Sequence, residues 1–486
     1  MLLAELLAEL PEARIYGQVE GRVRTICCDS RAVQSGDLFV ALSEGQQQDR
    51  HEFVGDALHR GAVAVVVEKT VGCMGTQIVV DDCRRALPRL ARRFYGAPDE
   101  SLVNIGVTGT NGKTTTAFLM KALLNRCDMP CGYIGTLGYT ADGVLQKGVN
   151  TTPEADVLQR YLRAFVDAGM QAAALEVSSH GLALRRVEGI PFRVAVGTNL
   201  TRDHLDFHGD YAAYSRAKAR LFSGLDQSAY AVLNADDPQV VSWAQDTAAN
   251  VVTYGLGQSA DWRAEDISLG RGGTHMRVVY PEGTLDVETP LRGEFNCYNL
   301  LAVLASAYSL GFNVQHIGPQ LARLDEVPGR FESLREGQPF SVVVDYAHTP
   351  DALENVLRTA RQLTQGKLIC VFGCGGDRDR GKREPMGRIA GEWADTVWVT
   401  SDNPRGEDPL SIIRATAEAI PHGVDCRCEV DRGQAIERAL RDAMPGDVVL
   451  IAGKGHEGEQ IIGDRVIPFD DRAVARSILH ELKRAN

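Results

Sequence analysis

The chain has 486 residues, 44% hydrophobic and 24% charged, with a formal net charge of −12. That length accommodates about three domains, and the apolar fraction is enough to bury several cores. The acidic balance argues against binding a nucleic-acid backbone, which needs a basic face. An anionic small substrate remains open wherever basic residues converge locally.

No apolar run approaches the roughly 18 residues of a membrane span, so no membrane insertion is expected. The opening stretch MLLAELLAELPEAR is acidic and lacks the basic region of a signal peptide. It reads instead as a small amphipathic helix. Eleven cysteines fall at irregular spacings, and Cys27–Cys28, Cys370/Cys374 and Cys426/Cys428 form no paired CxxC framework. Reduced thiols and a cytoplasmic setting are expected.

From residue 1 to about 97, short apolar runs at 37–42, 62–68 and 77–82 read as strands, while 51–61 and 83–96 have helical spacing. PDESL (98–102) reads as a linker. A stronger α/β pattern then starts with VNIGVTG, a Gly-rich turn and a helix through 115–125. AAALEVSS (172–179) and RVAVGTNL (193–200) are nearly continuous apolar runs, as buried parallel strands are. The stretch 248–290 alternates more and predicts antiparallel strands at one side. PGRFE (328–332) marks a boundary. Beyond it SVVVDYA, KLICVFG, TVWVT and DVVLIAGK alternate with helical segments, the pattern of a parallel sheet covered on both faces. The expected fold class is α/β in three domains: 1–97 mixed α/β, 98–331 a P-loop domain with a parallel sheet, and 332–486 a Rossmann-like domain.

GVTGTNGKTTT (106–116) sits at the strand–helix junction where phosphates bind. Gly109 and Gly112 let the backbone curl. Lys113 is placed to reach terminal phosphates and Thr114 to hold Mg²⁺. The spacing departs from GxxxxGK[ST], since position 107 is Val. No guanine-specific NKxD pattern follows, which weakens a GTPase-switch reading. Glu176 ends a buried strand, where a carboxylate can meet the same Mg²⁺. His204 and His208 are spaced i,i+4, but Leu205 stands where a zinc hydrolase needs glutamate. GCGGDR has Arg378 at the third glycine position of a dinucleotide fingerprint, so no nicotinamide cofactor is expected.

These pieces, with DSR (29–31), NTTP (150–153), EVSSHGL (176–182), TNLTRDHLDFHGD (198–210), YSRAKARLF (214–222), GEFNCYN (293–299), DYAHTPDAL (345–353), DNPR (402–405) and GKGHE (453–457), run in order along the chain. Together they resemble the Mur ligase family, ATP-dependent amide ligases of bacterial cell-wall synthesis. The resemblance implies a third-residue ligase that adds meso-diaminopimelate to UDP-MurNAc-L-Ala-D-Glu, with ATP as co-substrate, two Mg²⁺ sites and a monomeric state. It places the UDP substrate on the first domain, ATP on the second and the amino acid on the third. A folate-polyglutamylating ligase is the nearest alternative, disfavoured by DSR, NTTP and DNPR. A non-catalytic nucleotide-dependent scaffold would predict a degraded metal site.

By that resemblance Lys113, Glu176, His204 and Lys218 are catalytic. Thr114, Glu176, His204 and Lys218 are at the metals, Lys218 as an N6-carboxylysine. By composition alone Lys218 is a solvated helix lysine; a desolvated amine, by contrast, can react with CO₂ in its neutral form. ATP falls to Gly109, Thr110, Asn111, Gly112, Lys113, Thr114, Thr115, Asn296, Asn299, Arg330, Asp345 and His348. Helix capping and turn formation are the plain alternatives for these positions, and for Asn299 taken alone they explain it equally well. The UDP substrate falls to Cys28, Ser30, Asn150, Thr151, Thr152, Ser178 and Arg186. Leu184 stands where relatives often carry a glutamine. Diaminopimelate falls to Arg378, Asp402, Asn403, Pro404, Arg405, Gly453 and Glu457, where arginines suit its carboxylates and Glu457 an ammonium.

Overall fold

The computed structural model describes residues 1–43, 49–140, 146, 148 and 150–485. Three sheets follow one another along the chain. The first has five strands in the order Arg14–Tyr16, Gln77–Val79, Ala64–Val67, Leu38–Val40 and Ile26–Cys27, parallel except where Arg14–Tyr16 joins antiparallel. The helix Cys83–Tyr95 covers it. Asp82 caps its N-terminus and Gly96, in the left-handed region, ends it. Pro88 sits inside this helix.

The central sheet has ten strands. Its middle (Cys131–Gly135, Ala172–Glu176, Val103–Thr108, Phe192–Gly197, Tyr230–Asn234 and Asn250–Gly255) is parallel throughout. All of these except Asn250–Gly255 are buried along almost their whole length, as expected when helices cover both faces. One face carries the helices Lys113–Arg126 and Glu294–Ser309, and the other carries Ala155–Asp167 and Tyr211–Ser223. Beyond Asn250–Gly255, the strands Trp262–Gly270, Gly273–Tyr280 and Gly283–Thr289 form an antiparallel extension. The alternation in 248–290 therefore ran one strand too far. Asn250–Gly255 pairs parallel with Tyr230–Asn234, and Trp262–Gly270 joins it in parallel, so antiparallel pairing begins only with Gly273–Tyr280.

The third sheet has six strands in the order Glu332–Leu334, Ser341–Asp345, Val448–Ala452, Leu368–Phe372, Thr396–Thr400 and Asp425–Glu429, parallel apart from the first. Apolar clusters fill both of its faces. A two-stranded hairpin, Glu459–Ile462 with Arg465–Pro468, stands off it. At the ends of the sheet strands Thr396–Thr400 and Val448–Ala452, Arg432 and Asp471 form a fully buried ion pair at 2.7 Å. The same guanidinium donates to the Ala452 carbonyl at 2.9 Å. No described helix is long and apolar enough to cross a membrane.

Candidate functional site

Thr108 ends the central strand, and the next four residues turn into the helix beginning at Lys113. Gly109 has φ +147° and Gly112 φ +84°. A Cβ on Gly109 would lie 1.8 Å from the Thr198 hydroxyl, and one on Gly112 would lie 2.7 Å from Asn299 Oδ1. Only glycine satisfies both the dihedrals and the space. The loop is braced from the neighbouring strand end: the Asn111 N–H donates to Asn199 Oδ1 at 2.9 Å and Thr198 Oγ1 donates to the Asn111 carbonyl at 2.6 Å. Thr110 shares its hydroxyl with Tyr214 at 3.1 Å.

Two lysines converge on this loop. Lys113 Nζ donates to the Gly109 and Thr110 carbonyls at 2.7 and 2.6 Å, and Lys218 Nζ donates to Gly109 O at 2.6 Å. Lys218 is 1% exposed, which settles it as an interior residue rather than a solvated lysine. Burial first, and the charge of Lys113 second, push its ammonium far below the ordinary lysine range. Lys113 is lowered as well, chiefly by burial, with Glu176 acting against the shift.

Glu176 collects four donors: Thr114 Oγ1 at 2.9 Å, the Thr136 N–H at 2.9 Å, Thr136 Oγ1 at 3.0 Å and the Tyr133 hydroxyl. Arg330 donates to Thr114 Oγ1 at 3.1 Å and lies 4.3 Å over the Tyr346 ring. Among the described residues no three His, Cys, Asp or Glu side chains group as a metal cage. A Thr hydroxyl and a carboxylate beside a phosphate loop are nonetheless the sparse, hard-oxygen donor set that Mg²⁺ accepts when phosphates supply the remaining ligands. The residues fit it. The depressed Lys218 amine likewise fits carbamate formation.

His204 has φ +52°, with Nε2 3.3 Å from Asp203 Oδ2. Its ring stands 4.8 Å from His180, which in turn is 5.6 Å from His208. Burial, then the neighbouring histidines, lower His180 to about 4. Asn296 and Asn299 are buried and bonded to each other at 2.9 Å, and Thr116 Oγ1 donates to Asn299 Oδ1 at 3.2 Å. Thr115 is buried in the same helix turn. The carboxylate of Asp345 is already occupied, accepting the N–H groups of Phe331 and Ala347 at 2.7 and 2.6 Å. His348 Nδ1 lies 3.0 Å from the Tyr346 carbonyl.

The third unit closes on this loop. Asn111 Nδ2 donates to Asp351 Oδ2 at 2.7 Å. A Cβ on Gly329 would collide with the His456 backbone at 2.3 Å, so the boundary segment 328–332 and the 453–457 loop are in close contact.

On the first-unit side, Thr152 donates to the Glu176 carbonyl at 2.8 Å and accepts from the Ser178 N–H at 2.9 Å. Thr151 reaches Thr136 at 3.1 Å. Asn150 is exposed, while Cys28 and Ser30 are buried. Arg186 does not project freely: it donates to Glu154 Oε1 at 3.0 Å and to the Thr152 carbonyl at 2.9 Å.

In the third unit Asp402–Arg405 turns at the end of Thr396–Thr400. Arg405 has φ +50°, with Nη1 on the Gly376 carbonyl at 2.9 Å. The Arg405 N–H donates to Ile461 O at 3.1 Å and its carbonyl accepts from Gly463 N at 2.7 Å. Burial, then the charge of Arg378, lower the Arg405 guanidinium. Pro404 and Asp402 are buried, whereas Arg378 is exposed. Asn403 Nδ2 donates to Glu457 Oε2 at 3.1 Å. A Cβ on Gly453 would stand 2.9 Å from Asp402 Oδ2.

The loop at 109–114 thus gathers Glu176, Lys218 and Arg330, with His204 held beside Asp203 and His180, and the loop at 402–405 gathers Glu457 and Gly453. Sequence reasoning missed Tyr133, Thr136, Asn199, Asp203, Asp351 and Lys454. Asn199, Asp203, Asp351 and Lys454 lie inside motifs already singled out; Tyr133 and Thr136 carry no local signal.

Residues 107–307 match the Mur ligase middle domain and residues 329–455 the Mur ligase glutamate ligase domain. The chain is 45% identical over 488 residues to the UDP-N-acetylmuramoyl-L-alanyl-D-glutamate–2,6-diaminopimelate ligase of Geobacillus thermodenitrificans, covering 99% of this chain and 100% of that one. It is 45% identical to the ligase of the same name from Solibacter usitatus, covering 99% and 98%. A solved structure of a UDP-N-acetylmuramoyl-L-alanyl-D-glutamate–2,6-diaminopimelate ligase superposes with a TM-score of 0.70 at 37% identity, covering 99% of both chains. A folylpolyglutamate synthase of Mycobacterium tuberculosis shares the fold at 21% identity and a TM-score of 0.65, over 81% of this chain and 94% of that one. With that identity carried over the whole length by relatives of a single name, the chain belongs to the Mur ligase family.

Proposed function

We propose that this chain joins meso-2,6-diaminopimelate to the D-glutamyl γ-carboxyl of UDP-MurNAc-L-Ala-D-Glu, converting ATP to ADP and phosphate, as a cytoplasmic monomer. The observation that carries the choice of amino acid is the loop Asp402–Arg405. It offers a guanidinium, an amide and, through Glu457, a carboxylate around one strand end. A ligand with carboxylates and ammoniums at both ends needs donors and acceptors of that mixture.

The substrate γ-carboxylate attacks the γ-phosphorus of ATP and ADP leaves, forming an acyl phosphate. The amine of diaminopimelate then attacks the acyl carbon, loses a proton, and phosphate departs. Lys113 exchanges its carbonyl partners for phosphate oxygens, and the free N–H groups at the start of helix Lys113–Arg126 face the same charge. Thr114, Glu176, His204 and carbamylated Lys218 would hold two Mg²⁺, which offset charge on the transferring phosphoryl group when bound. Arg330 bridges the nucleotide loop and the third unit. Gly109–Thr115, Asn296 and Asn299 shape the nucleotide site, with Asp345 and His348 supporting its rim. Cys28, Ser30, Asn150, Thr151, Thr152 and Ser178 line the UDP side. There Arg186 would release Glu154 for a substrate oxygen. Arg405 and Arg378 would take diaminopimelate carboxylates and Glu457 an ammonium, with Asp402, Pro404 and Gly453 shaping the turn.

The test is phosphate release from ATP with the UDP-muramoyl dipeptide and a panel of amino acids. Turnover should require the dipeptide and should select meso-diaminopimelate. Equal use of L-lysine would overturn the reading.

A further inference from the structure

Lys454 is 0% exposed, yet the chemistry above gives it no role. Its Nζ donates to Glu457 Oε2 at 2.8 Å and Asn403 Oδ1 at 3.3 Å, and lies 4.0 Å from Asp402 Oδ1. The Ile461 N–H donates to the same Asn403 Oδ1 at 2.9 Å. An ammonium and a backbone N–H can only donate. The oxygen of Asn403 must therefore face them, and its NH₂ must face the other way, towards Glu457 Oε2 at 3.1 Å. Rotating the amide by 180° would set hydrogens against two donors inside a buried site, at the cost of both bonds.

The orientation is thus fixed by the chain before any ligand arrives. Asn403 presents hydrogens only, and Glu457 presents lone pairs only. We propose that Lys454 is a positioning residue for amino-acid selectivity: by locking Asn403 as a donor, it makes this part of the pocket accept a carboxylate and refuse an ammonium. A freely rotating amide would serve either, because it can turn its oxygen to an ammonium. The hairpin contributes through Ile461, whose N–H locks Asn403 while its carbonyl holds the backbone of Arg405.

The inference deepens the proposed function, so the experiment separates the two. Wild-type enzyme is first assayed with meso-diaminopimelate and L-lysine; lack of preference overturns the proposed function itself. Given the preference, Lys454→Met should raise KM for diaminopimelate by about tenfold or more and cut the diaminopimelate-to-lysine ratio of kcat/KM by a similar factor. Saturating kcat and KM for ATP should stay within about threefold. A merely structural role would lower kcat or stability and leave the ratio unchanged, and that result overturns the inference. If Lys454→Met does not fold, Asn403→Asp decides. It keeps the volume and both bonds to the locked oxygen, while it replaces the donor to Glu457 by an acceptor and adds a negative charge. Its preference should move towards L-lysine; an unchanged preference overturns the inference equally.

Discussion

The two loops proposed to hold the nucleotide and the amino acid are built by opposite means. Residues 109–112 take their shape from two glycines, and a Cβ at either would collide with a neighbour. Residues 402–405 contain no glycine and hold Arg405 in the left-handed region, against its own preference, through backbone bonds to the distant residues Ile461 and Gly463. The nucleotide loop is specified by what it lacks, and the amino-acid loop by what is brought to it. A local device suits a ligand shared by many enzymes. A device assembled from several segments can be retuned one partner at a time.

The hardest test of this contrast is at the nucleotide loop. Lys113→Ala should lower turnover by about a thousandfold or more while the protein stays folded, because it removes charge at the transferring phosphoryl group. Phosphate release measures it, and near-normal turnover would show that the loop does not hold the nucleotide. Lys218→Ala should cost on the order of a hundredfold, with partial recovery in acetate or formate if a carbamate carboxylate is what is missing. Intact-protein mass spectrometry at high bicarbonate would show the adduct on wild type only.

At the other loop the effect should be selective rather than global. Arg405→Ala should raise KM for diaminopimelate by about ten- to a hundredfold, the worth of a charge-assisted contact, with KM for ATP unchanged within twofold. If both constants rise together, the two loops are not independent and the contrast fails. The smallest effect concerns His456, whose backbone packs against Gly329. Burial first, then the charges of Arg330 and Arg472, push His456 down to about 3. A histidine whose folded pKa lies below its unfolded value near 6.5 costs stability as pH falls, because the unfolded chain binds the proton first. Melting temperature should therefore drop between about pH 6.5 and pH 3, and His456→Gln should flatten that part of the profile.

The sequence made the nucleotide loop legible because its determinants are adjacent: strand, Gly109, Gly112, Lys113 and helix lie within one short segment. It made the order of strands in the third sheet no more than a class, since pairing joins residues far apart, such as Ser341 with Val448. The partners of Glu176 show the same limit. Tyr133 and Thr136 come from another strand and its turn, and nothing near them in the chain marks them as donors. Lys218 was legible only through family resemblance, because its burial follows from how helix Tyr211–Ser223 lies on the sheet. Family resemblance assigns Asp345 and Arg186 to ligands; in the fold their side chains hold backbone groups and Glu154, contacts that resemblance does not reveal.

The ion pair between Arg432 and Asp471 has a consequence for how the protein tolerates shortening. Asp471 is the first residue of the last helix, Asp471–Ala485, and its partner also holds the Ala452 carbonyl immediately before Gly453 and Lys454. A stop codon ahead of residue 471 would strand a guanidinium in the interior, a loss of about 3–5 kcal/mol. It would also loosen the strand end that carries the amino-acid pocket. The helix Asp471–Ala485 is a keystone: without it the strand end at Ala452 loses its guanidinium clamp, and the proposed grip on the amino acid should weaken before the nucleotide site does.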